Sequence, residues 1–186
     1  MEKDIEKYFT RIDTTKLCPW FYTKLKLVVG ACVARGYEFW AISGLREYDE
    51  QMKLYGQGRE FIDGKWVVID KSKVVTNALP WTSFHFFGLA VDFCLDKDKE
   101  RAGLQPDYDV EKYKILQEEL HKVGLISGLD FKSFPEGAHA QTPIRSGSTG
   151  EFKQLWLSEG PEAVWNLALN NLKLVLDYKD HYKDIV

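Results

Sequence analysis

The chain is organised around the stretch Ser83-Phe84-His85-Phe86-Phe87-Gly88-Leu89-Ala90-Val91-Asp92-Phe93. It places an imidazole and a carboxylate, His85 and Asp92, seven residues apart in an apolar segment, where an unpartnered ionised group is costly to bury. In an unbroken strand this odd spacing would direct the two side chains to opposite faces, because side chains alternate along a strand. Gly88 is where the phase can be reset. We therefore predict a central strand in which Asp92 shares a face with Ala90 and Cys94.

A cation shared by His85 and Asp92 would offset the cost of burying them. The alternative is that the two side chains simply hydrogen-bond each other or the backbone. A metal site needs a third ligand, and the sequence contains four histidines. His181 falls in the charged C-terminal tail and His121 on the solvated outer face of a predicted helix, so His139 is the candidate that is left.

The neighbourhood of His139 contains a further carboxylate. Glu136 stands three residues before it, and Gly137 between them permits a tight turn. Two histidines and one carboxylate form a ligand set that for zinc characteristically leaves a fourth position for water. A nearby carboxylate that is not a ligand can accept a proton from that water. A structural His139 and a solvated Glu136 fit the spacing equally well, so both interpretations stay open on the residues alone.

Length and composition fit one folded domain with a sizeable core, since 45% of the 186 residues are hydrophobic. The net charge of -3 gives no electrostatic reason to expect nucleic acid as a partner. No apolar run approaches the length of a membrane span, so we expect no membrane insertion. Cys18, Cys32 and Cys94 are too few and too scattered for a disulfide framework, and we expect them to be buried.

The remaining patterns predict an α+β fold, in which a small antiparallel sheet carries the site and helices flank it. Apolar periodicity predicts helices over residues 19–35, 47–55 and 109–123 and one or two more within 150–176. Strands are predicted at residues 38–42 and, as an edge strand, at 138–141. The Asp63-Gly64 pair between two β-prone runs predicts a hairpin.

The pattern Ser83-x-His85-x-x-Gly88-x-Ala90-x-Asp92 resembles the zinc signature of the M15 metallopeptidases, which include VanY-type D,D-carboxypeptidases and phage L-alanyl-D-glutamate endopeptidases. Three further segments resemble motifs of that family in the same order. They are Ser43-Gly44-Leu45-Arg46 with Gln51, Leu54-Tyr55 and Gly58-Arg59; Val75-Thr76-Asn77-Ala78; and Gly128, Asp130 and Lys132-Ser133-Phe134 with Glu136-x-x-His139. The resemblance covers about residues 40–141.

The resemblance implies that His85, Asp92 and His139 bind Zn²⁺ and that Glu136 is the general base that activates water. It also implies that Arg46 stabilises the oxyanion of the tetrahedral intermediate, a role suited to a guanidinium that stays charged at any working pH.

Two further residues are predicted at the substrate-binding side of the site. Ser83 would support the site or contact substrate, and Gln51 would hold the arginine segment in place.

The resemblance further implies a zinc peptidase domain at residues 1–145. We predict a helical C-terminal extension at residues 146–186, packed on the same domain.

The resemblance implies a monomeric zinc peptidase that hydrolyses amide bonds in peptidoglycan stem peptides. The segment from Asp130 to Phe134 favours an endolysin-like L-alanyl-D-glutamate endopeptidase. Glu136 favours the alternative, a D,D-carboxypeptidase that releases terminal D-alanine, because endopeptidases of the family usually carry aspartate there. A non-catalytic, zinc-containing wall-binding module is an alternative of another class, although such a module needs neither Glu136 nor Arg46.

The N-terminal segment Met1-Glu2-Lys3-Asp4-Ile5-Glu6-Lys7 is charged and lacks the apolar core of a signal peptide. We therefore expect a protein made in the cytoplasm, and the resemblance to phage endopeptidases implies that it reaches the cell wall after phage-type lysis. The alternative is a cytoplasmic protein that handles recycled peptides.

Overall fold

The computed structural model describes residues 4–98, 100–143 and 148–177. The fold is α+β, as the sequence predicts, and the described helices and strands lie close to their predicted positions. The helices are α1 (Pro19–Ala34), α2 (Tyr48–Gly56), α3 (Val110–Lys122), α4 (Ser148–Glu159) and α5 (Pro161–Asp177). The strands are β1 (Phe39–Ser43), β2 (Arg59–Ile62), β3 (Lys65–Val68), β4 (Ala90–Asp96), β5 (Pro106–Asp107), β6 (Ile126–Ser127) and β7 (His139–Gln141).

The main sheet is antiparallel and has the strand order β1-β4-β7-β6, with β5 paired to the end of β4. In this register Asp92 of β4 lies opposite Ser43 of β1 and opposite His139 of β7. The predicted edge position of residues 138–141 is wrong, because β6 pairs with the outer side of β7. A strand as short as β6 leaves no alternating pattern in the sequence by which it could be predicted.

The quoted stretch is a strand only in its second half. Residues Phe84–Phe87 form a 3-10 turn that carries His85, and Gly88 ends the turn with a φ of 64°. A side chain at Gly88 would also collide with the chain, since its Cβ would lie 2.4 Å from the carbonyl oxygen of Lys16. Gly88 therefore breaks the alternation as predicted, but the strand itself begins only at Ala90.

The two faces of β4 have different functions. Val91 and Phe93 point into the core between the sheet and the packed helices α1 and α3, and both are fully buried. Burial of each such side chain stabilises the fold by about 1.5–3 kcal/mol. Asp92 points to the opposite face. The core therefore sets the rotation of β4 and with it the direction of the Asp92 carboxylate.

Helices α4 and α5 pack against the turn that carries His85. Phe152 of α4 is buried and makes an edge-to-face contact with Phe87, with ring centroids 5.5 Å apart. The indole N–H of Trp165 in α5 donates to the carbonyl oxygen of Phe87 at 2.8 Å. These contacts brace the His85 turn from outside, while the division of the chain into two parts at residue 145 stays a prediction.

Strands β2 and β3 form the predicted hairpin, which lies apart from the main sheet. Asp63 and Gly64 both have positive φ, as the favoured two-residue hairpin turn requires. Arg59 ties the hairpin to the loop before the His85 turn, because its guanidinium donates to the carbonyl oxygens of Tyr55 and Thr76.

The structure also shows the state of the cysteines and the character of the described helices. Cys18, Cys32 and Cys94 are free and buried, as predicted. No helix within residues 4–98, 100–143 and 148–177 has both the length and the apolar composition of a membrane span.

Candidate metal centre

Three side chains from three different segments converge on one point. His85 comes from the 3-10 turn, Asp92 from β4 and His139 from β7. His85 Nε2 lies 3.2 Å from Asp92 Oδ1, His139 Nδ1 lies 3.0 Å from the same oxygen, and the two nitrogens are 3.3 Å apart. The structure thus brings together the three residues that the sequence analysis selected as metal ligands.

The orientation of His85 shows why these atoms need a cation. Its Nδ1 lies 2.7 Å from the carbonyl oxygen of Gly44, which can only accept, so Nδ1 carries the proton. Burial lowers the pKa of His85 and keeps the ring neutral. Nε2 therefore presents a lone pair to the carboxylate of Asp92, a repulsive contact that a shared cation would make attractive.

The carboxylate at the centre of the group is ionised. Burial raises the pKa of Asp92, but the attraction of the His85 and His139 rings in their protonated forms outweighs burial and holds that pKa well below its usual range. Burial lowers the pKa of His139, but the hydrogen bond that its protonated ring donates to Asp92 outweighs this and raises the pKa above the usual value. The site is therefore a buried carboxylate anion flanked by two nitrogen atoms that can act as metal ligands, and this arrangement attracts a cation.

The spacing of the three atoms fits zinc. Tetrahedral zinc sites with bonds of about 2.0–2.2 Å place neighbouring ligand atoms roughly 3.3–3.6 Å apart. The observed separations of 3.0, 3.2 and 3.3 Å lie close to this range. Two imidazoles and one carboxylate are also a ligand set that catalytic zinc sites use, with a fourth position left for water.

Glu136 lies on the wall of the same cavity and is half-buried. Burial, and then the negative charge of Asp92, raise the pKa of its carboxyl group. The backbone of Glu136 is held by Gly128, whose carbonyl oxygen accepts the Glu136 N–H at 3.0 Å. Only glycine fits at position 128, because a Cβ there would lie 2.2 Å from the Glu136 carbonyl oxygen.

Arg46 contacts the metal-binding group directly. Its Nη2 donates to Asp92 Oδ2, its Nε to Ser43 Oγ at 3.0 Å and its Nη1 to Gln51 Oε1 at 3.3 Å. The guanidinium therefore orients Asp92 and leaves Oδ1 for a metal. A guanidinium has five N–H groups, so two of them make no hydrogen bond within the described part of the chain.

Ser83 and Gln51, which were both predicted at the substrate-binding side, lie in different places. Ser83 lines the cavity and is 6% exposed. Gln51 is fully buried, away from the cavity wall. Its Oε1 accepts from Arg46, and its Nε2 donates to the carbonyl oxygen of Ala78 at 2.8 Å. Gln51 therefore holds the arginine segment in place and does not line the cavity.

The cavity beside the three ligand atoms has a volume of about 440 Å³ and both polar and apolar walls. It is lined by Arg46, Leu54, Val75, Thr76, Asn77, Ala78, Thr82, Ser83, Phe84, His85, Asp92, Phe131, Ser133, Phe134, Glu136, His139 and Gln141.

Two groups that hold the histidines were not predicted from the sequence. One is the backbone carbonyl of Gly44, which has no side-chain signal in a sequence. The other is Gln141, whose Oε1 lies 2.9 Å from His139 Nε2. A polar residue two positions after a candidate ligand, and hence on the same strand face, is a signal that could have indicated it.

Comparison with known proteins gives one family match and one curated relative. The family described as VanY: D-alanyl-D-alanine carboxypeptidase matches residues 14–146. The peptidoglycan L-alanyl-D-glutamate endopeptidase CwlK of Bacillus subtilis (strain 168) is 28% identical over 116 residues, which are 60% of this chain and 64% of the relative. The match therefore spans less than two thirds of that relative.

Two solved structures resemble the fold. The L-Ala D-Glu endopeptidase ChiX of Serratia marcescens has a TM-score of 0.48 and 17% identity, covering 76% of this chain and 94% of ChiX. A mutant of the vancomycin-resistance D,D-pentapeptidase VanY, from a VanB-type resistance cassette and in complex with Zn(II), has a TM-score of 0.47 and 22% identity. That match covers 66% of this chain and 70% of the VanY chain.

Proposed function

The chain belongs to the VanY family of D-alanyl-D-alanine carboxypeptidases, and on that premise we propose that it is a zinc-dependent peptidase that hydrolyses amide bonds in peptidoglycan stem peptides. The observation that carries the proposal is the convergence of His85 Nε2, Asp92 Oδ1 and His139 Nδ1 beside Glu136 in one cavity. A structural pair of buried polar residues would need neither three converging acceptor atoms nor a second, half-buried carboxylate.

Zinc held by His85, Asp92 and His139 would polarise the scissile carbonyl and lower the pKa of the attacking water. Glu136 accepts the proton of that water on a carboxylate oxygen. The raised pKa of Glu136 suits this task, because a carboxylate with a higher pKa is a stronger base and can retain the proton until the leaving amine takes it.

Arg46 provides positive charge where negative charge develops on the carbonyl oxygen. Its contacts with Ser43, Gln51 and Asp92 fix the guanidinium plane before substrate arrives. A group that is already oriented needs no reorganisation during the reaction, which is what makes such donors effective.

We propose L-alanyl-D-glutamate endopeptidase activity as the specific reaction. Release of terminal D-alanine requires recognition of a free carboxylate, and Arg46 is the only Lys or Arg among the described residues that line the cavity. Three of its donors bind side chains and we assign the remaining positive charge to the scissile carbonyl oxygen, so the cavity suits an internal peptide bond better than a chain end. The endopeptidase name of the 28% identical relative supports the same reaction.

D,D-carboxypeptidase activity is the second candidate. The description of the matched family and the glutamate at position 136 favour it. Digestion of purified muropeptides, with the new termini identified by mass spectrometry, separates the two reactions. Cleavage between L-alanine and D-glutamate is the expected result. Release of free D-alanine without that cleavage would replace the endopeptidase proposal by the carboxypeptidase one.

A non-catalytic wall-binding role is tested by Glu136→Ala, with Glu111→Gln, an exposed glutamate of α3, as the control. Both variants should bind zinc, and only Glu136→Ala should lose wall lysis. Undiminished lysis by Glu136→Ala would show that the base has been assigned wrongly.

Since the proposed substrate lies in the cell wall, we further propose that the protein reaches it after phage-type lysis, acting as a monomer.

A further inference from the structure

The two ring nitrogens of His139 face different partners. Nδ1 lies 3.0 Å from Asp92 Oδ1 and 3.3 Å from His85 Nε2, whereas Nε2 lies 2.9 Å from Oε1 of Gln141. A neutral imidazole carries one proton, so a proton on one nitrogen leaves a lone pair on the other. Whichever group faces Nε2 therefore decides whether Nδ1 can bind a metal.

Gln141 is held rigidly beside His139. Both residues belong to β7 and are two positions apart, so their side chains leave the same face of the sheet. The backbone of Gln141 is paired on both sides, with Ala90 of β4 and with Ile126 of β6. The side chain therefore starts from a fixed point in the middle of the sheet.

We propose that Gln141 is a positioning residue of the metal centre, whose Oε1 accepts the Nε2–H of His139 and so keeps the Nδ1 lone pair directed at Asp92 and His85. The inference rests on the proposed zinc function and deepens it. Gln141 does for His139 what the Gly44 carbonyl does for His85. The difference is that a side-chain amide can be removed by substitution, whereas a backbone carbonyl cannot.

Loss of the Gln141 acceptor would weaken zinc binding through His139. Without it, the ring is free to place its proton on Nδ1, where Asp92 Oδ1 at 3.0 Å is the acceptor. That tautomer occupies the ligand atom with a proton, which zinc would have to displace. Removal of such a hydrogen-bond partner of a ligand histidine costs about 10–100-fold in metal affinity.

The test compares zinc affinity, measured by competition with a chelating indicator, in the wild type and three variants. Gln141→Leu keeps the size of the side chain and removes the acceptor, so we expect about 10–100-fold weaker zinc binding. Gln141→Glu restores an acceptor and should recover most of the loss. Gln117→Leu is the matched control. Gln117 donates to Asp130 at 2.7 Å and contacts none of the three ligand residues, so this substitution should leave zinc affinity unchanged.

A second measurement needs no variant. Correlation of the imidazole protons and nitrogens by NMR in the zinc-free wild type, at a pH where the His139 ring is neutral, should show the His139 proton on Nε2. A proton on Nδ1, or equal zinc affinity in Gln141→Leu and the wild type, would overturn the role of Gln141 and leave the proposed function standing. A wild type that binds no zinc would instead overturn the proposed function, and this inference with it.

Discussion

Histidine and aspartate are paired in two arrangements within the described residues, and only one of the two is suited to bind a metal. In the second arrangement, His121 Nε2 lies 2.8 Å from Asp130 Oδ2, which also accepts the Ser127 N–H at 2.9 Å. Asp130 Oδ1 accepts from Gln117 at 2.7 Å. Donors therefore satisfy both carboxylate oxygens of Asp130, and the group closes the turn that leads from β6 towards Glu136.

The metal centre has the opposite balance of donors and acceptors. Around Asp92 Oδ1, two imidazole nitrogens converge, and the proton of at least one, His85, is committed to a carbonyl oxygen on the far side of the ring. Residue types are the same in both places, so the difference lies in where the protons point. A histidine beside an aspartate indicates a metal site where the lone pair of a neutral imidazole nitrogen, and not its N–H group, faces the carboxylate oxygen.

The largest expected effect follows from removing the charge at the metal centre. Asp92→Asn replaces one ligand and removes the only carboxylate among the three ligand candidates, so we expect loss of stoichiometric zinc and of detectable peptidase activity. Asp130→Asn should retain both. Zinc per chain, measured by atomic emission on the purified proteins, checks the pair of variants. Equal zinc contents in the two variants would abolish the distinction between the two arrangements.

The second effect separates chemistry from metal binding within the metal centre. Glu136→Gln keeps the shape of the side chain but cannot accept a proton, so we expect turnover to fall by about 10²–10⁴-fold with zinc retained. Turnover on muropeptides and zinc content are measured on the same sample. If zinc is lost together with activity, Glu136 is a ligand and the proposed base is wrong.

The third effect concerns the stability that the second arrangement contributes. Asp130→Asn leaves the Ser127 N–H and the His121 ring with a weaker acceptor, so we expect a loss of about 1–3 kcal/mol in the free energy of unfolding. Urea denaturation of the metal-free protein measures it. A variant as stable as the wild type would show that this hydrogen-bonded group contributes little to the fold.

The smallest effect is the pH dependence of that stabilisation. Burial raises the pKa of Asp130, but hydrogen bonds from His121 and Gln117 outweigh burial and hold its pKa below the usual value. Its contribution is therefore fully present above the unfolded-state pKa of about 3.9 and is lost as the pH falls through the lower folded-state pKa. The stability difference between the wild type and Asp130→Asn should shrink in that acid range. A difference that grows on acidification would reverse the assigned direction of the shift.

Local sequence signals predicted the elements that depend on local chemistry. The hairpin follows from Asp63-Gly64, because few residues adopt positive φ at both turn positions. Helix α1 follows from Pro19 and a regular apolar stripe. The interpretation of His121 as a solvated surface residue is confirmed only in part: its side chain is 36% exposed, but it pairs with Asp130, which lies in a turn that no helical pattern indicates.

The composition of the site follows from the order of residues alone: which histidines and carboxylates are available, the glycine that breaks the strand before Asp92, and the family motifs in their order. Which lone pairs face one another depends on how distant segments pack together. Pairing of β4 with β7 sets Asp92 opposite His139, and the Gly44 carbonyl orients His85. Backbone groups and strand registers have these effects through contacts between residues far apart in the chain, and such contacts leave no residue pattern in the sequence.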